Sequence, residues 1–298
     1  MSSVLLPRQL PDPLPSIHPV PEYQVDGERR RFYEEMKAAL QVPWMGVVTM
    51  AYAHYPTFFR VLWQGLQPVV ADPSFARHGA ALRAVVEGAA PALVQRNLLA
   101  PLKALGYAPR EIDQIRQVLG IFAHGNHPYL LIATLVRLLL EGQDAVPDPG
   151  LALPAVEPPR ALDVQAPLVL MEAHHADAPT RAIYEDIKQT LGLPFVNTDY
   201  RALARWPSYF ALAWAELKPA LATAAYPALC ESVHREAVSR VSRQLPVPAS
   251  LSAKALQEAA RADAPLDEVL RVARLFQWLL PGLVTNVAVL QAQLLDAS

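Results

Sequence analysis

The residues best placed to do chemistry are a single acid and a single amide, each set in apolar sequence. Asp199 stands in LPFVNTDYRALA (residues 193–204), a segment otherwise patterned like the apolar VPWMGVVTMAYA of residues 42–53. A carboxyl withdrawn from water gains proton affinity and can act as a general base. The competing reading is local: Thr198 or Asn197 caps a helix, and Asp199 complements its positive end. Asn126 lies in His124-Gly125-Asn126-His127-Pro128, which breaks a long uncharged stretch. Its amide could fix a water or a substrate oxygen. Equally, Gly-Asn before a proline is how a turn reaches the next helix, with Asn126 or His127 as cap.

Other candidates are weaker. His174-His175-Ala176-Asp177 offers metal-ligand types, but adjacent helical histidines point roughly 100° apart and no third ligand follows at a fitting spacing. No metal is expected. Ser208 and Thr57 lack a nucleophile elbow, and the 12 glycines are too scattered to cradle a phosphate. Trp44, Trp63, Trp214 and Tyr129 read first as core and second as cavity lining.

The elements that must position the acid come from a duplication. Residues 33–68 and 184–219 align without a gap at an offset of 151, with 12 identities in 36 positions, against roughly two for unrelated segments. Tyr33/Tyr184, Pro56/Pro207, Trp63/Trp214 and Pro68/Pro219 are among the matches. Positions alike in both copies read as packing, so a place where one copy turns polar marks function. Gly46-Val47-Val48 in the first copy is Asn197-Thr198-Asp199 in the second.

Apolar residues recur at helical spacing almost throughout, as in Ile112, Ile115, Val118, Leu119 and Phe122, and strand signals are nearly absent. The chain reads as all-α. Prolines 43, 56, 109, 128, 194, 207 and 265 are expected at helix ends. Gln117–Val136 and Leu275–Leu295 carry no charge apart from histidine and align near an offset of 154 through Phe122 and Phe276. Their length admits a membrane span. Their prolines and amides instead suggest helix pairs buried against protein. The expected organisation is a proline-rich N-terminal arm (1–29), a helical repeat (30–144), a proline-rich connector (145–178) and a second repeat (179–298). The six prolines of residues 145–167 make that connector stiff. Two homologous halves are expected to pack as a pseudo-dimer around a site at their interface.

Composition narrows the partners. With 52% hydrophobic and 18% charged residues among 298, the chain has material for a large core. A net charge of -2 with no basic run gives nucleic acid nothing to bind. One cysteine, Cys230, excludes an internal disulfide or a CxxC redox pair and suits a reducing cytoplasm. The N-terminus lacks an export pattern. No membrane partner is expected, and apolar faces on a duplicated helical chain are compatible with a homodimer.

Three motifs together carry a resemblance: Val42-Pro43-Trp44, the GN-x-x-YLL stretch from Gly125 to Leu131, and the D-x-x-A-L-A-x-W-P run from Asp199 to Pro207. The chain resembles the all-helical group I 2-haloacid dehalogenases from about residue 30 to 295. The resemblance implies hydrolysis of a small 2-halocarboxylate with no cofactor. Asp199 would be the base and Asn126 the residue that positions the water. Attack on C2 would give a 2-hydroxy acid of inverted configuration. Trp44, Val47, Tyr129, Asn197, Thr198 and Phe276 would line the substrate pocket. Val47 replaces an aromatic residue of the family pocket, and Phe276 lacks the hydroxyl of the tyrosine aligned with it. Asn197 resembles the residue of members restricted to the D-form, where members accepting both enantiomers have alanine. With no arginine motif, the substrate carboxylate is expected on helix N-termini and backbone N–H groups.

Overall fold

The computed structural model describes residues 6–158 and 168–296. Among them there is no strand, and the helices run in two sets of six. The first set is α1 (Gly27–Leu40), α2 (Val47–Tyr52), α3 (Pro56–Ala71), α4 (Pro73–Ala89), α5 (Leu99–Ala104) and α6 (Pro109–Leu140). The second is α7 (Ala178–Leu191), α8 (Thr198–Leu203), α9 (Pro207–Leu221), α10 (Ala225–Arg243), α11 (Ala253–Asp263) and α12 (Leu266–Ala292).

The duplication reaches individual hydrogen bonds, at the same offset of 151. The Tyr33 hydroxyl donates to Val20 O at 2.8 Å and Tyr184 donates to Met171 O at 2.7 Å. Trp63 Nε1 donates to Glu35 and Trp214 Nε1 to Asp186, both at 2.7 Å. Val20 N donates to Met50 O at 3.0 Å, and Met171 N to Arg201 O at 2.9 Å. Both α1 and α7 end in a left-handed residue, Gln41 at φ 53° and Gly192 at φ 65°. Glycine adopts that conformation freely, whereas glutamine gives up roughly 1 kcal/mol or more. The first copy therefore carries a small strain that the second does not.

Prolines open α3, α6 and α9, where a missing N–H costs nothing. Pro128 and Pro281 depart from expectation, because each lies inside one continuous helix, α6 or α12, rather than between a pair. An interior proline costs about 3 kcal/mol. Burying one large apolar side chain contributes about 1.5–3 kcal/mol, and Leu130, Leu131, Ile132, Leu135, Val136, Leu138 and Leu139 are all buried. Tertiary burial outweighs the local penalty. The apolar window of α12 is long enough to cross a membrane, but 83% of it is buried inside the protein.

The described chain forms two compact units. Unit 1 comprises Met1–Val85, His124–Ala161 and Cys230–Leu283, and unit 2 comprises Val86–Ala123, Leu162–Leu229 and Val284–Ser298. Each draws segments from both sequence repeats, so shared ancestry and compactness divide this chain differently. Within unit 1, α3 packs on α11. Asp263 accepts from Phe58 N at 2.8 Å and so caps α3, while a Cβ at Gly65 would meet Leu251. Within unit 2, the Tyr107 hydroxyl accepts from Tyr209 N at 3.1 Å and caps α9 at the equivalent position.

Residues 6–26 of the N-terminal arm belong to unit 1 and have no helix apart from Glu22–Gln24, and α1 begins within the arm at Gly27. Buried His234 binds Leu6 O, Arg137 donates to Pro7 O at 2.9 Å, and Arg8 donates to Trp278 O at 3.1 Å. The connector runs without regular structure through residue 158. It is tied by Val146 N to Ser242 O at 2.9 Å and by Arg243 to Asp148 at 2.8 Å. Residues 1–5 of the arm and 159–167 of the connector lie outside the described residues.

Candidate active site

Unit 2 positions the acid. Asn197 takes the N-cap backbone position of the six-residue α8, but its side chain makes no capping bond. Its Oδ1 is buried without a hydrogen-bond partner among the described residues. The capping reading for Asn197 therefore fails, although Asp199 does stand in the first turn. Thr198, Asp199 and Tyr200 are 6%, 3% and 1% exposed, so an acid occupies a setting that carboxylates enter only with compensation. Arg201 holds the outer side of α8, donating to Glu172 at 2.6 Å and to Thr198 Oγ1 at 3.3 Å. The Tyr200 ring stands edge-on to Trp214 at 6.0 Å, and its hydroxyl accepts from Asn286 Nδ2 at 2.8 Å. Burial raises the Tyr200 pKa, the Asn286 bond opposes this, and the Asp199 charge adds to it. The phenol stays protonated beside the acid.

Unit 1 carries the amide and the aromatic residues. Asn126 is 4% exposed in the middle of α6. It therefore does not cap a following helix, and the turn reading of Gly125-Asn126-His127-Pro128 is overturned. Gly125 is required by contact: a Cβ there would overlap the Trp44 ring and lie 2.9 Å from Val42 Cγ1. The indole is thereby laid against α6 one residue from Asn126. Trp44 also stands edge-on to Tyr129 at 6.0 Å. The Tyr129 hydroxyl accepts from Gly46 N at 2.9 Å and donates to Trp44 O at 3.1 Å, so only its ring is left to line a cavity. Val47 opens α2 and is half-buried, while Phe276 is buried edge-on to Tyr52 of the same helix at 6.3 Å. Trp44, Val47, Asn126, Tyr129 and Phe276 thus belong to unit 1, and Asn197, Thr198 and Asp199 to unit 2.

The histidine motif does something else. His174 and His175 lie in an exposed turn, not on a helix, with ring centroids 4.0 Å apart. Asp177 is the N-cap of α7, accepting from Thr180 N at 2.8 Å, and the hydrogen bonds from the Thr180 hydroxyl and backbone N–H hold its carboxyl below the usual range. Among the described residues no three His, Cys, Asp or Glu side chains gather to hold a metal ion. Sequence reading missed the Asn286–Tyr200 bond. Its one visible trace is that Tyr200 replaces Thr49 at the aligned position.

The curated relatives and the solved structures that this chain is similar to carry 2-haloacid dehalogenase names. The chain is 47% identical over 251 residues to an "(R)-2-haloacid dehalogenase" of Rhizobium sp. (strain NHG3), covering 83% of this chain and 95% of that protein. A protein of the same description from Pseudomonas putida is 38% identical over 96% of both. A "2-haloacid dehalogenase, configuration-inverting" of Pseudomonas sp. (strain 113) is 27% identical, with 68% of this chain and 67% of that protein aligned. Among solved structures, a D-2-haloacid dehalogenase mutant in complex with D-2-CPA superposes with a TM-score of 0.87 at 36% identity, covering 97% of this chain and 99% of that one. A complex with L-LA gives 0.85 at the same identity and coverage. The family described as "Halocarboxylic acid dehydrogenase DehI" matches residues 43–200 and 194–295. Those two spans take in both repeats with their short helices α2 and α8, and the chain belongs to this family.

Proposed function

We propose that this protein hydrolyses short-chain 2-haloalkanoic acids, preferring the D-form, to 2-hydroxy acids of inverted configuration, without a cofactor. The observation that carries the reading is the buried carboxylate of Asp199 at the position where the first repeat has Val48. In this reading Asp199 takes a proton from a water that the Asn126 amide orients. The water oxygen bonds to C2 as the carbon–halogen bond breaks on the opposite face, and the halide leaves with the bonding pair. Removing a carboxylate from water raises its proton affinity, and a fixed water replaces much of the entropic cost of recruiting one. Trp44, Val47, Tyr129 and Phe276 supply apolar lining, Thr198 lies beside the base, and Asn197 obstructs the L-enantiomer. Backbone N–H groups hold the substrate carboxylate. The names of the two (R)-specific relatives support the enantiomer, and those of the configuration-inverting relatives support the stereochemical course.

Cys230, buried and in no disulfide, suits a reducing cytoplasm. Neither nucleic acid nor a membrane enters the reaction, and a homodimer is compatible with it. Halide release from the two 2-chloropropionate enantiomers tests the reading. Chloride from D-2-chloropropionate, lost in Asp199→Asn, is expected. No halide from either enantiomer would leave only a carboxylate-binding protein, and release from the L-form alone would reverse the argument from Asn197.

A further inference from the structure

The short helices α2 and α8 are each pinned to a long helix by a tyrosine hydroxyl, but the pins run in opposite senses. In unit 1 the long helix α6 supplies Tyr129, whose hydroxyl accepts from Gly46 N at the entry of α2. Thr49, inside α2, turns its own hydroxyl back onto Gly46 O at 2.7 Å. In unit 2 the residue aligned with Thr49 is Tyr200, which reaches outward to Asn286 of α12 at 2.8 Å. The α12 residue aligned with Tyr129 at the 154 offset is Leu283, which has no hydroxyl. The copy that carries the acid is therefore held through the residue next to the acid, and among the described residues its helix entry carries no tyrosine plug.

We propose that Asn286 and Tyr200 are positioning residues for Asp199, fixing α8 in the register at which the carboxylate meets its water. A helix of six residues has little internal hydrogen bonding to resist sliding. Tyr200 is the anchor beside the acid. It is 1% exposed, wedged on Trp214, and flanked by an apolar gap lined by Leu203 and Phe210. Asn286, 2% exposed, donates to the phenol oxygen, so the phenol proton stays free for another acceptor. The Asn286 Oδ1 has no hydrogen-bond partner among the described residues. It is a buried acceptor suited to a water that the Tyr200 O–H could also bind.

This inference rests on Asp199 being the base, and the test separates the two claims. Steady-state dehalogenation of D-2-chloropropionate is measured for Tyr200→Phe, Asn286→Leu, the double variant and Asp199→Asn, with thermal unfolding of each. Displacing a catalytic group by about 1 Å costs up to roughly 100-fold. Each single variant is therefore expected to lower kcat about 10- to 100-fold with KM changed less than about threefold, while folding remains cooperative. The double variant should be no slower than the slower single one, and Asn286→Gln should recover part of the loss in Asn286→Leu. Should Asn286→Leu not fold, Tyr200→Phe, which keeps the ring, decides alone. Wild-type kcat in Tyr200→Phe with Asp199→Asn inactive would overturn this inference and leave the base assignment standing. Activity in Asp199→Asn would overturn the base assignment first. Equal loss in kcat and rise in KM, tracking lost stability, would mean a merely structural bond.

Discussion

The entry turns of α2 and α8 descend from one segment and now do opposite things. At Gly46 the turn is sealed: Tyr129 closes on its backbone, there is no room for a Cβ, and Val47 and Val48 continue the apolar pattern. At Asn197 a side chain is present, its Oδ1 has no partner among the described residues, and a buried threonine and acid follow. On the proposed reading, a duplicated scaffold lets one copy keep the packing role while the other gives up local stability for a site. Natural proteins break their own packing rules mainly where function requires it.

The largest effects come from exchanging the acid and its twin. Asp199→Asn should lower kcat roughly a thousandfold with the fold intact, because proton transfer by a placed base contributes about 10²- to 10⁴-fold. Val48→Asp puts a carboxylate into the sealed turn, where Val48 is 3% exposed. Denaturant unfolding should show a loss of about 3 kcal/mol or more, as expected for an uncompensated buried charge. Unchanged stability of Val48→Asp would mean that the first turn is not sealed.

Next come the glycine and its counterpart. Gly46→Ala places a Cβ 2.7 Å from the Tyr129 ring and should cost about 1–3 kcal/mol as overpacking. Asn197→Ala removes an amide whose oxygen has no partner among the described residues, so its stability should change by less than about 1 kcal/mol. It should instead raise turnover of L-2-chloropropionate relative to the D-form. An Asn197→Ala protein as D-selective as wild type would remove that residue from the specificity argument.

Acid should loosen the units unequally. Unit 1 holds His78, whose pKa burial and the Arg240 charge push down to about 4, and His124 and His234, lowered chiefly by burial. Unit 2 has only the exposed pair His174 and His175. The unfolded chain binds these protons near pH 6.5 but the folded chain only near 4 for His78. Stability is therefore present in full above about pH 6.5 and is lost as pH falls toward 4. Hydrogen exchange between pH 7 and pH 4 should accelerate around His78 and His234 before it does in α9. Simultaneous loss throughout would contradict this.

Much of this was legible in sequence because it is local or periodic. Helical spacing and the repeat, including its polar exception at Asn197-Thr198-Asp199, need only the one-dimensional pattern. The misreadings share a cause. Pro128 and Pro281 break a local rule that burial of α6 and α12 overrides, which removes the cap as the competing reading of Asn126 and leaves a mid-helix amide. The Tyr129 plug joins residues 83 apart and the Tyr200 pin residues 86 apart. Nothing in either neighbourhood announces its partner. The carboxylate of the HHAD motif was already committed to capping α7, a role that composition alone does not distinguish from metal binding.

The most direct test of the central claim, that Asp199 activates water rather than attacking carbon, is a single turnover in heavy-oxygen water with enzyme in excess over D-2-chloropropionate. Mass spectrometry of product and protein should find one heavy oxygen in the 2-hydroxy acid and none in the peptide containing Asp199. An unlabelled product with heavy oxygen in that carboxylate would establish an aspartyl ester and contradict the account.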